Sequence, residues 1–129
     1  MNRSFRFFVL SALVGFYASS ALAGGNAGQS LRVDATAYNS LPAQTDDDPN
    51  VAAWGDELKP GMKAIAVSRD LLNLYGLKHR DKVRISGMDG EFEVLDKMHR
   101  RWEKKIDIYM GKDRRKALRF GRKRVTISW

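Results

Sequence analysis

The stretch that decides the fold runs from Glu91 to Tyr109 and reads EFEVLDKMHRRWEKKIDIY. Phe92 and Val94 alternate with polar neighbours up to Asp96, and after a basic connection Ile106 and Ile108 alternate with Asp107 and Tyr109. A period of two is the signature of a strand with one buried face. Two strands are therefore expected here, one ending on Asp96 and one carrying Asp107 on its polar side. Upstream, Asp89-Gly90 is a turn dipeptide, and Lys82 to Ser86 sets Val83 and Ile85 inward, so these residues predict a hairpin with the strand from Glu91 to Asp96. Downstream, Gly111 closes the Asp107 strand.

The same periodicities extend outward. Leu31, Val33, Ala35 and Ala37 alternate with Arg32, Asp34, Thr36 and Tyr38, and Val125, Ile127 and Trp129 alternate at the end of the chain. Ala64 to Val67 is a short apolar run suited to a buried strand. Ser68 reads as an N-cap, with Leu71, Leu72 and Tyr75 at helical spacing behind it and Gly76 as the stop. A second short helix fits Asp113 to Phe120, ended by Gly121. Between the first two strands, Asn39 to Lys63 has no period and carries three prolines, which predicts a long loop. Six short strands and two short helices make the chain all-β dominated. Strands this short cover a core best by closing, which also removes exposed edges, so a small six-stranded barrel is expected.

Composition bounds the chemistry. The chain has 129 residues, 23 Lys+Arg against 15 Asp+Glu for a formal charge of +8, and no cysteine. Thiolate nucleophiles, disulfides and Cys-ligated metal sites are excluded, leaving carboxylates, hydroxyls and two histidines. The start has the three parts of a signal peptide: Arg3 and Arg6, the apolar run Phe7 to Tyr17, and Ala21-Leu22-Ala23 as the cleavage motif. Residues 1–23 are thus expected to be a leader, and the apolar run is shorter than the roughly 20 residues a membrane helix needs. Residues 24–30, rich in Gly, Asn and Ser, read as a flexible lead-in, and 31–129 as the folded domain. The mature chain of 106 residues would carry +6, be exported to the periplasm or beyond, and be soluble with no stable membrane anchor.

Thr36-Ala37-Tyr38, Ile65-Ala66-Val67, Asp96 eleven positions before Asp107 in Ile106-Asp107-Ile108-Tyr109, and Phe120-Gly121-Arg122 together resemble the three-aspartate (3D) domain, from about Val33 to Trp129. That resemblance implies a double-psi β-barrel related to the catalytic barrel of membrane-bound lytic transglycosylase A and, more distantly, to rare lipoprotein A. It implies a peptidoglycan lytic transglycosylase, with Asp107 as catalytic acid/base and Asp96 as supporting carboxylate. The family's first aspartate falls at Ser68, with Asp70 the nearest carboxylate. Its glycine-rich segment between the second and third aspartates is replaced by Lys97 to Lys105, which keeps the length and loses the glycines.

The chemistry is self-consistent at the level of residue types. A lytic transglycosylase cleaves after N-acetylmuramic acid by attack of the sugar's own 6-hydroxyl, leaving a 1,6-anhydro end, so one carboxyl group can first donate and then accept the proton. Such an acid needs a raised pKa, from burial or a neighbouring carboxylate. The cations between Lys97 and Lys105 act the other way. They suit a rival reading, a non-catalytic peptidoglycan-binding module in which Arg101 and Trp102 contact the polymer; the same run also reads as a solvated loop.

Tyr38 and Tyr109, on the polar sides of their strands, are candidates to line a groove, though packing at a barrel rim explains them at least as well. Trp54 in the long loop is a candidate substrate-facing aromatic, though pinning the loop onto the barrel is the more frequent role of a lone Trp. The expected partner is the glycan strand of peptidoglycan. Nucleic acid is not expected for an exported chain, although its basic composition suits it. Asp46-Asp47-Asp48 lacks the alternation of a calcium loop and reads as a polar turn before Pro49, and His79 and His99 lack ligand spacing, so no metal and no cofactor is expected.

Overall fold

A computed structural model describes residues 28–40 and 50–129. The leader and Asp46-Asp47-Asp48 lie outside the described residues. The elements are β1 (Ser30–Tyr38), β2 (Ala64–Val67), α1 (Arg69–Asn73), β3 (Lys82–Ile85), β4 (Phe92–Lys97), β5 (Lys105–Tyr109), α2 (Arg114–Phe120) and β6 (Lys123–Ser128). The six strands close into a barrel in the order β1-β5-β2-β4-β3-β6. The fold is the small all-β barrel with two short helices that the periodicities predict, and its mixed pairing is compatible with a double-psi barrel.

The barrel is doubly built. β1 and β5 are parallel, as are β2 and β4, and the remaining neighbours are antiparallel. Exchanging β1 with β4, β2 with β5 and β3 with β6 maps every neighbouring pair onto one of the same sense. Each half therefore runs strand, loop, strand, short helix, strand. The repeat lives in backbone pairing and not in side chains, which is why the sequence shows no internal repeat.

The interior is filled by the inward residues of all six strands, among them Val33, Ile65, Val83, Val94, Ile106, Ile108 and Ile127, each at most 1 % exposed. Burying an aliphatic side chain of this size contributes roughly 1.5–3 kcal/mol each, so the alternation seen in the sequence is also the main stabilising term. Order begins before Leu31: β1 starts at Ser30, and Gln29 exchanges backbone hydrogen bonds of 2.8 and 3.0 Å with Trp129. Helix α1 is shorter than the Ser68-to-Gly76 expectation. Ser68 stands at its N-cap position, yet its hydroxyl makes no cap bond and instead accepts from Lys105 N–H at 3.0 Å, tying α1 to the start of β5. Among the described residues no helix is long and apolar enough to cross a membrane.

One irregularity matters for the site. Ile65 is paired with Val94, but the next residue, Ala66, is paired with Asp96, so Leu95 is an extra residue on β4. Strict alternation from Phe92 and Val94 would carry Asp96 to the inner face. The bulge resets the alternation, a device that commonly re-aims side chains. Leu95 packs outside the barrel with Ala52, Leu58, Ala64 and Tyr109, and Asp96 faces outward beside it.

Candidate active site

Strand register assembles the site. Asp107 is paired with Thr36 on one side and with Ala66 on the other, and Ala66 is paired with Asp96. Thr36, Asp107, Ala66 and Asp96 thus form one lateral row across four strands on the outer face. The two aspartates are separated by one intervening strand, about 9–10 Å between backbones. In the doubly built barrel the pair Thr36/Asp107 corresponds to Asp96/Ala66. The position equivalent to Asp107 is therefore a methyl group, that of Ala66, which is buried between the two aspartate strands.

Asp107 is half-buried, and Thr36 Oγ1 donates to its Oδ1 at 3.0 Å. Burial pushes the Asp107 carboxyl above the ordinary carboxylate value, because desolvation disfavours the charged form. The Thr36 hydrogen bond and the Lys105 ammonium pull it down, and the Asp96 charge adds to the rise, but burial is the largest influence. The basic run thus does not dominate this carboxyl. Of its cations only Lys105, which sits two residues away on the same strand face, bears on Asp107 appreciably.

Asp96 is fully engaged. Its Oδ1 accepts from the backbone N–H groups of Ala53 and Lys97, at 2.8 and 2.9 Å, and its Oδ2 accepts from the Tyr38 hydroxyl at 3.3 Å. Tyr38 in turn packs against Tyr109, with ring centroids 5.6 Å apart, and the Tyr109 and Ser40 hydroxyls share a 2.9 Å hydrogen bond. Burial and the charges of Asp96 and Asp107 raise the Tyr38 pKa far above that of a free phenol, so Tyr38 stays a neutral donor.

Trp54 stands at the edge of this group. It stacks on His79 with centroids 4.6 Å apart, with the Lys97 ammonium 5.0 Å from its ring. His79 and Arg80 both pair with Asp56, holding that carboxyl below its usual range. These contacts fasten the segment around residues 50–58 to the barrel and set Ala53 N–H on Asp96. Trp54 fills an anchoring place.

Arg101 and Trp102 lie elsewhere. The Arg101 guanidinium sits 4.8 Å and the Lys105 ammonium 3.9 Å from the Trp102 ring centroid. Trp102 lines a cavity of about 510 Å³ together with Arg69, Asp70, Arg100 and Glu103. A second cavity, of about 450 Å³, lies by Met88, Met110 and Lys112. Neither is lined by Asp96 or Asp107. The expected site residues therefore divide into two groups, the aspartates with Tyr38 and Tyr109, and the Trp102 group, with Lys105 between them.

Sequence reasoning missed Thr36 as the partner of Asp107, Ala66 as the residue paired with both acids, and Lys105 as the cation that touches both groups. Thr36 was readable as an outward residue of its strand, but its pairing with a residue 71 positions away was not. Of the candidates for the first family position, Ser68 is buried and bonded to Lys105 N–H, while Asp70 Oδ2 accepts from Lys104 N–H at 2.9 Å. Both shape the start of β5 and neither joins the Asp107 row. Fold and site define a closed mixed β-barrel with a half-buried carboxyl group on its outer face, raised above the ordinary carboxylate value by burial. No family model and no curated protein matches the chain.

Proposed function

We propose that the protein is a peptidoglycan lytic transglycosylase of the three-aspartate, double-psi type, with Asp107 as its acid/base. The observation that carries the reading is the row Thr36–Asp107–Ala66–Asp96: a carboxyl whose acidity burial weakens, with a second carboxylate one strand beyond Ala66. Export is taken from the leader pattern alone.

In this reading the glycan strand runs past the half-buried Asp107. Asp107, starting protonated, donates to the glycosidic oxygen as the bond to C1 breaks, and then accepts the proton of the 6-hydroxyl as that oxygen closes on C1. Water is neither activated nor consumed, so no carboxylate is needed as nucleophile or as a base for water. Asp96, fixed by three donors and unable to move toward the sugar, contributes its charge: it supports protonation of Asp107 before cleavage and favours positive charge developing at C1. Thr36 fixes the Asp107 rotamer, and Tyr38 and Tyr109 wall the row.

The test is mass spectrometry of murein incubated with purified protein. Release of 1,6-anhydro muropeptides, abolished in Asp107→Asn, is the expected result. No such products, or undiminished release by the variant, would sink the reading.

A second reading, a non-catalytic wall-binding barrel, is favoured by one specific observation: the Trp102 cavity, about 510 Å³, carries Arg69 and Arg100. It predicts salt-sensitive retention on murein that survives Asp107→Asn and weakens when Arg100, Arg101 and Lys104 are neutralised.

A further inference from the structure

We propose that the cavity between the 60–63 segment, the far end of β5 and the start of α2 binds a small amphiphilic anion, an apolar body ending in a single carboxylate. It goes beyond the transglycosylase reading and uses none of its acid/base residues. The volume of about 450 Å³ falls in the range of small-molecule sites, roughly 300–1,000 Å³.

Its composition sorts into two zones. Met62, Met88, Met110 and Phe92 supply an apolar lining, and these are three of the five methionines in the chain. Methionine is unbranched and polarisable, and it adapts to ligands of varied shape, so its concentration at one opening points to a pliable apolar receptor. Around it stand Lys63, Lys112 and Lys116, against one carboxylate, Asp113. Asp113 Oδ1 is already accepting from Lys116 N–H at 2.9 Å as the cap of α2. Net charge at the opening is therefore positive.

One of these cations is held in position. Lys63 Nζ donates to the Asp89 carbonyl at 3.1 Å and lies 5.1 Å from the Phe92 ring centroid. An ammonium has three donors, so two remain beyond the Asp89 bond, on a residue that lines the cavity. The wall nearest Pro60 is backbone: Gly111 has φ +60°, and a Cβ there would lie 3.2 Å from Pro60 Cα. A ligand matching these zones buries hydrocarbon against the methionines and sets one negative group among the lysines. Absence of arginine from this lining selects a compact single charge over a bidentate fork.

The test is a fluorescence titration of purified protein with 8-anilinonaphthalene-1-sulfonate, followed by competition with octanoate and with octylammonium. Saturable binding at one site, displaced by octanoate and not by octylammonium, is expected. Lys112→Gln with Lys116→Gln, at exposed positions, should weaken probe binding about tenfold at low salt and leave thermal melting unchanged. Asp107→Asn should bind the probe like the parent protein, which separates this site from the proposed catalytic one. Unsaturable binding, equal displacement by the ammonium, or undiminished affinity in the double variant would overturn the assignment.

Discussion

Asp107→Asn should make the protein more stable at neutral pH while removing its proposed acid/base. The carboxyl is raised above the ordinary value of 3.8 chiefly by burial, so the folded state holds its proton more tightly than the unfolded chain. Stability then falls as pH rises from about the unfolded value through the higher folded one, because the folded state binds more protons over that interval. Every tenfold that folding takes from the carboxyl's acidity costs about 1.4 kcal/mol once both states are ionised. Asparagine avoids this cost and keeps a carbonyl oxygen to accept from Thr36 Oγ1 at the 3.0 Å now spanned. In a domain of this size one such tenfold separates melting temperatures by roughly 6–11 °C. Thermal melts of both proteins by circular dichroism, from pH 3 to pH 8, should show the variant's advantage growing as pH rises and vanishing at the acid end. A variant less stable than the parent at pH 7, or an advantage independent of pH, would refute the claim that burial dominates this carboxyl.

Carbon-13 titration of the Asp107 carboxyl should shift downward in Asp96→Asn, which loses the neighbouring anion, and upward in Thr36→Val, which loses the hydrogen bond to the ionised form; no movement in either would sever the row. Trp54→Ala removes the stack on His79 and should accelerate amide hydrogen exchange at Ala53, whose N–H is held by Asp96. Ile106→Ala, fully buried, should cost about 2–5 kcal/mol by urea unfolding, whereas Arg101→Ala should stay within about 0.5 kcal/mol. Asp113→Ala removes the cap on Lys116 N–H and should cost about 0.5–2 kcal/mol, read in the same unfolding curves.

The pairing of Asp96 with Asp107 illustrates how much was legible. Spacing and resemblance singled out both residues, and alternation placed Asp107 on the outer side of its strand because Ile106 and Ile108 must be inside. The same alternation applied to Phe92 and Val94 sends Asp96 inward. Only the extra residue at Leu95 turns it out, and that bulge is defined by the partner strand β2, some 30 positions earlier in the chain. Trp102 shows the opposite case. Its place in the basic run made it, with Arg101, a candidate polymer contact without saying where it would lie; the turn through Lys104, at φ +43°, and the cations stacked on its ring set it in a cavity that neither aspartate lines.

By itself the sequence determined the number of strands and helices, which side of most strands is buried, and the exclusion of thiol and Cys-ligated metal chemistry. These follow from local periodicity and from residue types, which are properties of short windows. Tertiary structure alone decided the order of strands around the barrel, the row that joins Asp107 to Asp96 through Ala66, the outward turn of Asp96 and the burial that raises the Asp107 carboxyl. Those depend on pairing between segments far apart in the chain, and a register or a desolvated site exists only once both partners are in place.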